Sequence, residues 1–239
     1  MNARGARGGR PNTILMPTTE ATPLQDRFGR TMRDLRISVT DRCNLRCLYC
    51  LPETESAANF YREHRSGAAV QGADQPIKYH WKPKAEILNF DEVTRLVRLF
   101  VQLGVNKIRL TGGEPLLRRD FPELVRQLAA INGVEDLAIT TNGFRFLELG
   151  ETLRDAGLKR VSFSLDAMDR EVFQKVTGRD GLTETLAAIE RAVALGLGPV
   201  KVNAVIIRDL NEDQVIPLIE FARASGVILR FIEFMPLDS

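Results

Sequence analysis

The sequence contains few cysteines and histidines, which narrows the kinds of site that it can hold. Three cysteines and two histidines occur among 239 residues. All three cysteines fall within residues 43–50, and an odd number packed this closely cannot all form disulfides within the chain. A structural disulfide framework is therefore not expected, and the scarcity of cysteine suits a reducing compartment such as the cytoplasm.

Long hydrophobic runs and a strong net charge are also absent. No apolar run approaches the ~20 residues that a membrane-spanning helix requires. The formal net charge of +2 is too small to favour nucleic-acid binding. With 44% hydrophobic and 27% charged residues, the composition is that of an ordinary globular protein. We expect neither a membrane nor a nucleic acid as a partner.

The first thirty residues differ in composition from the rest. Arg4, Arg7 and Arg10 lie among glycines and are followed by a stretch rich in proline and threonine. Without an apolar core this stretch is not a secretory signal, although its basic, acid-poor character leaves an organelle transit peptide open. We predict a disordered tail at residues 1–30 and a folded domain at residues 31–239.

Short β-rich runs alternate with helical patterns along the folded domain. The predicted strands are residues 35–40, 107–111, 136–141, 160–165, 200–207 and 228–234. The predicted helices at residues 91–103, 183–195 and 211–224 place apolar residues at helical spacing, and a glycine follows each of them. This alternation predicts repeated βα units around a parallel sheet.

Six such strands fit an α/β fold, an incomplete (β/α)6 barrel of the TIM type, since a full barrel has eight strands. An open doubly wound sheet is the alternative. In both folds the active site lies at the carboxyl ends of the strands, and the unusual sequences follow the strands here. The cysteines follow the first strand, and residues 111–115, 140–143, 164–166 and 234–236 end or follow four others.

A polar segment at residues 55–84 interrupts the alternation and reads as a long loop or insertion. It carries both histidines and the only tryptophan. A catalytic role for His64 or His80 is not favoured.

The three clustered cysteines can hold a soft metal centre on one loop. A four-iron cluster held by Cys43, Cys47 and Cys50 would keep one iron without a protein thiolate, free to bind a small molecule. A zinc site of the Cys₃His kind is the alternative, but neither histidine lies at the short spacing that zinc modules use. The spacing therefore favours a redox-active iron–sulfur site.

A glycine turn and a carboxylate follow the second predicted strand, at residues 112–115. Glycines let a backbone approach a ligand closely. A carbonyl and the Glu114 carboxylate could accept hydrogen bonds from an ammonium group. A plain βα turn is the common alternative when the motif is taken alone.

Together the Cys-x₃-Cys-x₂-Cys spacing and the Gly-Gly-Glu-Pro turn resemble the radical S-adenosylmethionine (SAM) superfamily. The finer resemblance is to the GTP 3′,8-cyclase family (MoaA) of molybdenum cofactor biosynthesis. Further segments that match this family are residues 33–43, 107–118, 140–143, 164–167, 177–179, 200–203 and 230–236.

The resemblance implies a radical SAM lyase with a partial barrel. Its 4Fe–4S cluster is held by Cys43, Cys47 and Cys50, and SAM chelates the fourth iron. Reductive cleavage of SAM gives a 5′-deoxyadenosyl radical, which abstracts hydrogen from C3′ of GTP so that the sugar radical attacks C8. The implied product is (8S)-3′,8-cyclo-7,8-dihydroguanosine 5′-triphosphate.

The resemblance also assigns contact residues. The positions matching SAM contacts are Tyr49, Gly113, Ser164 and Met235. The positions matching GTP contacts are Arg36, Arg109, Thr140 and Lys201. Their chemistry is suitable, because arginine binds phosphate in a bidentate manner and lysine acts as a point charge. A solvated strand face is the ordinary alternative for each cation.

The sequence departs from the family in three places. Leu51 stands where the family usually has methionine, and the insertion after Glu53 is longer than expected. The family carries a second 4Fe–4S cluster on three further cysteines beyond the barrel, and this sequence reaches Ser239 without them. We therefore expect the SAM-cleaving part, with poor or no conversion of GTP.

Several partners and alternatives remain open on the sequence. The resemblance implies a flavodoxin- or ferredoxin-like electron donor and a possible homodimer. The alternative functions are another radical SAM activity, such as a peptide-modifying maturase, and a non-catalytic metal- or nucleotide-binding remnant.

Overall fold

The computed structural model describes residues 23–59 and 75–234. Its strands are β1 (Asp34–Ser38), β2 (Lys107–Thr111), β3 (Asp136–Thr141), β4 (Arg160–Ser164), β5 (Lys201–Ile206) and β6 (Ile228–Glu233). Its helices are α1 (Phe90–Gln102), α2 (Phe121–Ala129), α3 (Phe146–Asp155), α4 (Arg170–Thr177), α5 (Leu182–Ala194) and α6 (Val215–Ser225). Short 3₁₀ turns cover Lys84–Glu86, Pro115–Leu117 and Glu212–Gln214, and residues 55–59 are also helical.

The six strands form one parallel sheet in the order β1-β2-β3-β4-β5-β6. A doubly wound sheet reverses its strand order at a switch point, and this sheet does not. The sheet also curls, so that Arg230 on β6 comes close to Arg109 on β2. After burial, the charge of Arg230 is the largest cause that lowers the pKa of Arg109. The predicted incomplete barrel is confirmed, and the doubly wound alternative is wrong.

Alternating side chains give the sheet an apolar outer face and a polar inner face. On β2, Ile108 and Leu110 are buried in the main core, while Arg109 between them points to the other face. Phe163 on β4 and Val202 on β5 continue the outer face. The helices pack on this outer face, which leaves the inner face to polar side chains.

Helix α1 begins one residue before its predicted start because of a capping box. The Asn89 side chain accepts from the Glu92 backbone N–H at 2.9 Å, and the Glu92 carboxylate accepts from the Asn89 N–H at 2.8 Å. Val93 and Val97 lie on the buried stripe of the helix. The predicted helix at residues 211–224 begins instead as a 3₁₀ turn and becomes α-helical at Val215.

Strand β1 ends earlier than predicted, at Ser38. The chain bends beyond it, so that the Thr40 carbonyl accepts from the Gly113 N–H at 2.7 Å. Residues 23–31 form a turn that contacts the end of α1, where the Leu24 N–H donates to the Leu103 carbonyl at 2.9 Å. The described fold thus includes residues before the predicted boundary at residue 31.

The returning limb of the insertion, residues 75–83, packs beside the cysteines. The Ile77 N–H donates to the Glu53 carbonyl at 2.9 Å, and the Tyr79 hydroxyl donates to the Pro52 carbonyl at 2.7 Å. The rings of Tyr79 and Trp81 stack with centroids 5.4 Å apart. Among the described helices, none has the length and apolar character needed to cross a bilayer.

Candidate active site

The three cysteines lie on a cluster loop, residues 41–50, at the carboxyl end of β1. The Arg46 N–H donates to the Thr177 carbonyl at 2.8 Å, and the Leu48 N–H donates to the Val176 carbonyl at 3.0 Å. The Arg46 guanidinium also donates to the Cys43 and Leu45 carbonyls, at 2.9 and 2.8 Å. The end of α4 therefore holds the loop on one side, and the loop folds around its own arginine.

The three thiols are free and neighbour one another. Burial raises the pKa of Cys43, Cys47 and Cys50. The pKa of Cys47 lies well above its ordinary value, because burial is joined by the charges of Asp166 and then of the other two thiols. Buried thiols lose their protons readily only when a positive charge lies close by. A bound metal centre supplies that charge.

The chemistry of this donor set fits an iron–sulfur cluster. Cys43, Cys47 and Cys50 are free thiols that neighbour one another on one loop, and cysteine thiolates are the protein ligands of 4Fe–4S clusters. Within residues 23–59 and 75–234, no group of three or more His, Cys, Asp or Glu side chains is arranged to hold a metal ion. The fit to a 4Fe–4S cluster therefore rests on the three neighbouring thiols.

The glycine turn after β2 packs directly against the cluster loop. A Cβ on Gly113 would lie 2.2 Å from the Arg42 carbonyl oxygen, so only glycine fits there. The Glu114 N–H donates to the same carbonyl at 2.7 Å. We expected Gly113 to admit a ligand, and in this structure the neighbour that approaches it so closely is the cluster loop.

The Glu114 carboxylate is buried and faces into the protein. It accepts from the Thr141 hydroxyl at 2.7 Å, the Asn142 N–H at 2.7 Å and the Leu116 N–H at 3.0 Å. Burial raises its pKa, and these three hydrogen bonds oppose the rise. The carboxylate therefore ties the turn after β2 to the end of β3, rather than reaching out to an ammonium group as its motif suggested.

Tyr49 is anchored by a residue to which the sequence analysis gave no role. Its hydroxyl donates to Asp166 Oδ2 at 2.7 Å, while Asp166 Oδ1 accepts from the Val205 N–H at 2.8 Å. Burial raises the pKa of Asp166 to about 6. The position of Asp166 after the fourth strand was the only signal in the sequence. Ser164 ends the same strand opposite Asn203, and Met235 lies outside the described residues.

Cationic side chains converge on the inner face of the sheet. Arg36 and Arg109 are register partners on β1 and β2, and Lys201 lies on β5. Arg160 and Arg230 join them, although the sequence analysis did not single them out. Burial first, and then the neighbouring cations, lower the pKa of both Arg109 and Lys201.

Only one of these five cations has an acidic partner in the part of the chain that the structure describes. Arg160 pairs with Asp136 on β3. The remaining four form no ion pair there, and the Asp136 carboxylate offsets only part of the repulsion at Arg109 and Lys201. Such a cluster lowers its free energy by taking up a polyanion.

Thr140 adds a second sign of a ligand on this face. Its hydroxyl oxygen is buried and has no hydrogen-bond partner among residues 23–59 and 75–234. A buried hydroxyl without a partner costs free energy and calls for an explanation, such as a bound group. Thr140 lies on β3 opposite Ser162, whose other neighbour in register is Lys201.

The curled parallel sheet with three thiols at its carboxyl end is matched by one family of known proteins. The Radical SAM superfamily matches residues 37–222, and the chain belongs to that superfamily. The superfamily implies a 4Fe–4S cluster and SAM as cofactors, as the sequence analysis predicted.

The resemblance to one branch of the superfamily is also confirmed. The chain is 44% identical to a GTP 3′,8-cyclase of Xanthomonas campestris pv. campestris (strain B100) over 226 residues, 94% of this chain and 61% of that protein. It is 46% identical to a GTP 3′,8-cyclase of Staphylococcus epidermidis over 217 residues, 90% of this chain and 58% of that protein. The chain thus spans about three fifths of the length of these relatives.

Solved structures agree on the fold. Streptococcus suis SuiB bound to S-adenosylmethionine aligns with a TM-score of 0.62 and 17% identity, over 92% of this chain and 42% of that one. Coproporphyrinogen III oxidase (HemN) from Escherichia coli, a radical SAM enzyme, aligns with a TM-score of 0.52 and 14% identity, over 91% of this chain and 45% of that one.

Proposed function

We propose that this chain is the SAM-cleaving part of a GTP 3′,8-cyclase, a lyase that acts in the first step of molybdenum cofactor biosynthesis. Cys43, Cys47 and Cys50 hold the 4Fe–4S cluster. When bound, the cluster supplies the electron that cleaves SAM to methionine and a 5′-deoxyadenosyl radical. The observation that carries the proposal is the group of cations without ion pairs on the inner face of the described sheet, in a chain whose cluster loop carries three neighbouring thiols.

The chain's own residues position the two ligands. The hydrogen bond to Asp166 fixes the Tyr49 side chain within the cluster loop, where its ring can pack on the adenine of SAM. The Ser164 hydroxyl, at the end of β4, can hydrogen-bond to SAM. Gly113 keeps the turn after β2 pressed against the loop. These contacts give the cofactor a fixed seat at the carboxyl end of the sheet.

The inner face receives the triphosphate of GTP. Arg36, Arg109 and Lys201 neutralise phosphate oxygens, and Arg230 stands close enough to Arg109 to share the same group. The Thr140 hydroxyl, buried without a partner, donates to an oxygen of the nucleotide. Because these cations repel one another, a tetra-anion relieves the repulsion on binding.

All three cysteines of the sequence are assigned to this one cluster. The family's second 4Fe–4S cluster needs thiolates that this sequence does not contain. We therefore expect SAM cleavage from this chain, and GTP conversion only when those ligands are supplied by further residues or another chain.

The test is anaerobic reconstitution with iron and sulfide, followed by dithionite reduction with SAM and GTP. Mass spectrometry then measures 5′-deoxyadenosine and cyclised GTP. We expect deoxyadenosine without cyclised nucleotide. Clear cyclised product from this chain alone contradicts the assignment of a missing second cluster, and a colourless chain that retains zinc and no iron contradicts the whole proposal.

GTP binding is tested separately with Arg109→Ala and Lys201→Ala. Each should weaken GTP binding by about tenfold or more, since each removes a charged contact to phosphate. Lys159→Ala, which removes an exposed cation just before β4, at the opposite end of the sheet, is the matched control and should leave binding unchanged. Equal affinity in all three variants contradicts the phosphate assignment.

A further inference from the structure

A second cationic surface lies beside the cluster loop. A groove of about 700 Å³ runs between this loop, the start of α1 and the turn after β2. Five cations line this cationic groove, against two carboxylates, Asp91 and Asp120. The cations are Arg42, Lys82, Lys84, Arg118 and Arg119. None of them belongs to the inner face that we assign to GTP.

Three of these cations are free to meet a partner. Arg118 is used internally, because its guanidinium donates to the Val39 and Leu88 carbonyls and lies over the Phe90 ring. Lys82 forms an exposed ion pair with Glu86 at 3.1 Å. The three that remain are exposed and form no ion pair in the described part of the chain: Arg42, Lys84 and Arg119.

The groove reaches the cluster loop itself. Arg42, on its rim, immediately precedes Cys43. The Lys82 N–H donates to Asp41 Oδ2 at 2.6 Å, which holds the returning limb of the insertion against the loop. A protein seated in the groove would therefore lie one residue from a proposed cluster ligand.

Apolar residues line the groove beside the cations, among them Ile87, Phe90 and Leu117. Leu117 is 36% exposed. Apolar contacts next to charged ones are usual in a protein–protein interface. Small interfaces that are steered by charge are typical of transient electron-transfer complexes.

We propose that the cationic groove docks an acidic one-electron carrier protein. This inference rests on the proposed function, which consumes one electron for each SAM cleaved. The carrier is oxidised by one electron, and the sulfonium carbon–sulfur bond of SAM accepts that electron as it breaks to methionine and the deoxyadenosyl radical. The cations of the groove favour an acidic partner. Because the groove includes part of the cluster loop, a partner with a redox centre is favoured over an acidic protein without one.

The test compares two double variants of the full chain that change the net charge equally. Lys84→Glu/Arg119→Glu reverses two free cations of the groove. Arg98→Glu/Lys159→Glu reverses two exposed cations outside it, one on α1 and one before β4. Each variant is titrated with a reduced bacterial flavodoxin for binding, and SAM cleavage is measured with flavodoxin and, separately, with dithionite.

We expect the groove variant to bind flavodoxin about tenfold more weakly or worse, and flavodoxin-driven cleavage at limiting flavodoxin to fall with it. Its dithionite-driven cleavage should match that of the wild type, because a small reductant needs no docking surface. The outer control variant should retain both activities and its affinity for flavodoxin.

Two outcomes overturn the docking proposal. One is unchanged flavodoxin binding in the groove variant, and the other is equally tight, equally charge-dependent binding of an acidic protein without a redox centre. Absence of dithionite-driven cleavage in the wild type overturns the proposed function instead, and the flavodoxin titration still decides whether the groove is a docking surface.

Discussion

At the scale of single residues, the site is organised by buried groups whose partners lie far away in sequence. Glu114 is saturated by three donors from the ends of β2 and β3, and Asp166 joins Tyr49 to β5. Neither carboxylate forms an ion pair with a described residue. Burial raises the pKa of each carboxyl group. The ionised form of each therefore lowers the stability of the folded state, to an extent that depends on pH.

For Asp166 the cost has a defined pH window. Its pKa rises from 3.8 in an exposed state to about 6 when folded, which corresponds to about 3 kcal/mol. Well below pH 3.8 both states are protonated and no cost arises. Between pH 3.8 and 6 the unfolded chain ionises first, so the folded state loses relative stability, and above pH 6 the loss is complete.

Asp166→Asn replaces the ionisable carboxyl group by an amide and keeps the shape of the side chain. We expect the difference in Tm between the variant and the iron-free wild type to increase in favour of the variant from pH 4 to pH 7, and then to level off. Thermal melts at each pH provide the measurement. A difference that is flat across this range means that Asp166 is not buried as an ionised group.

At the scale of elements, the sequence pattern predicted the positions of the strands well. All six strands occur within two residues of the predicted ends, because β-rich runs bounded by polar turns are local signals. Helices α2, α3 and α4 were not individually predicted. The early end of β1 was not foreseen either, since it depends on the hydrogen bond between Thr40 and Gly113, which lie far apart in sequence.

The contact between the cluster loop and the turn after β2 is tested by Gly113→Ala. The added Cβ would meet the Arg42 carbonyl at 2.2 Å, and backbone cannot move aside easily. We expect iron and sulfide incorporation to fall severalfold, while the circular dichroism of the helices is retained.

Gly157→Ala is the control for that experiment. Its Cβ would lie 2.5 Å from the Ala129 side chain, at the opposite end of the sheet, so it also crowds a tight contact. Normal iron content in this variant and reduced content in Gly113→Ala support a local effect. Equal losses in both point to general destabilisation.

At the scale of the whole molecule, the chain carries two cationic regions. One is the inner face of the curled sheet, with Arg36, Arg109, Lys201 and Arg230, and the other is the cationic groove beside the cluster loop. The loop is tied to α4, to the turn after β2 and to the insertion. A ligand bound to the loop therefore stabilises contacts that reach across much of the sheet.

Cluster assembly should consequently raise the thermal stability of the chain. A ligand that binds only the folded state adds its binding free energy to stability, and about 1 kcal/mol corresponds to ~2–4 °C at this size. We expect reconstitution to raise Tm by several degrees and chelation to reverse the rise. Cys47→Ala should show no rise. An equal rise with zinc contradicts the cluster assignment.

Three properties stay predictions at this scale: the cytoplasmic location, a homodimer and a flavodoxin- or ferredoxin-like donor. Only the donor is tied here to a surface, through the cationic groove. Residues 1–22 of the predicted disordered tail lie outside the described residues, as do His64 and Met235, whereas residues 23–30 are described.

The sequence by itself determined the class of chemistry and the scaffold. Cysteine spacing, the glycine turn and the alternation of strand and helix patterns are local, so they are legible without coordinates. Tertiary structure decided which polar groups meet. It turned the Glu114 carboxylate inward, joined Asp166 to Tyr49 and brought Arg230 near Arg109, because burial and contact between distant strands depend on how the sheet curls.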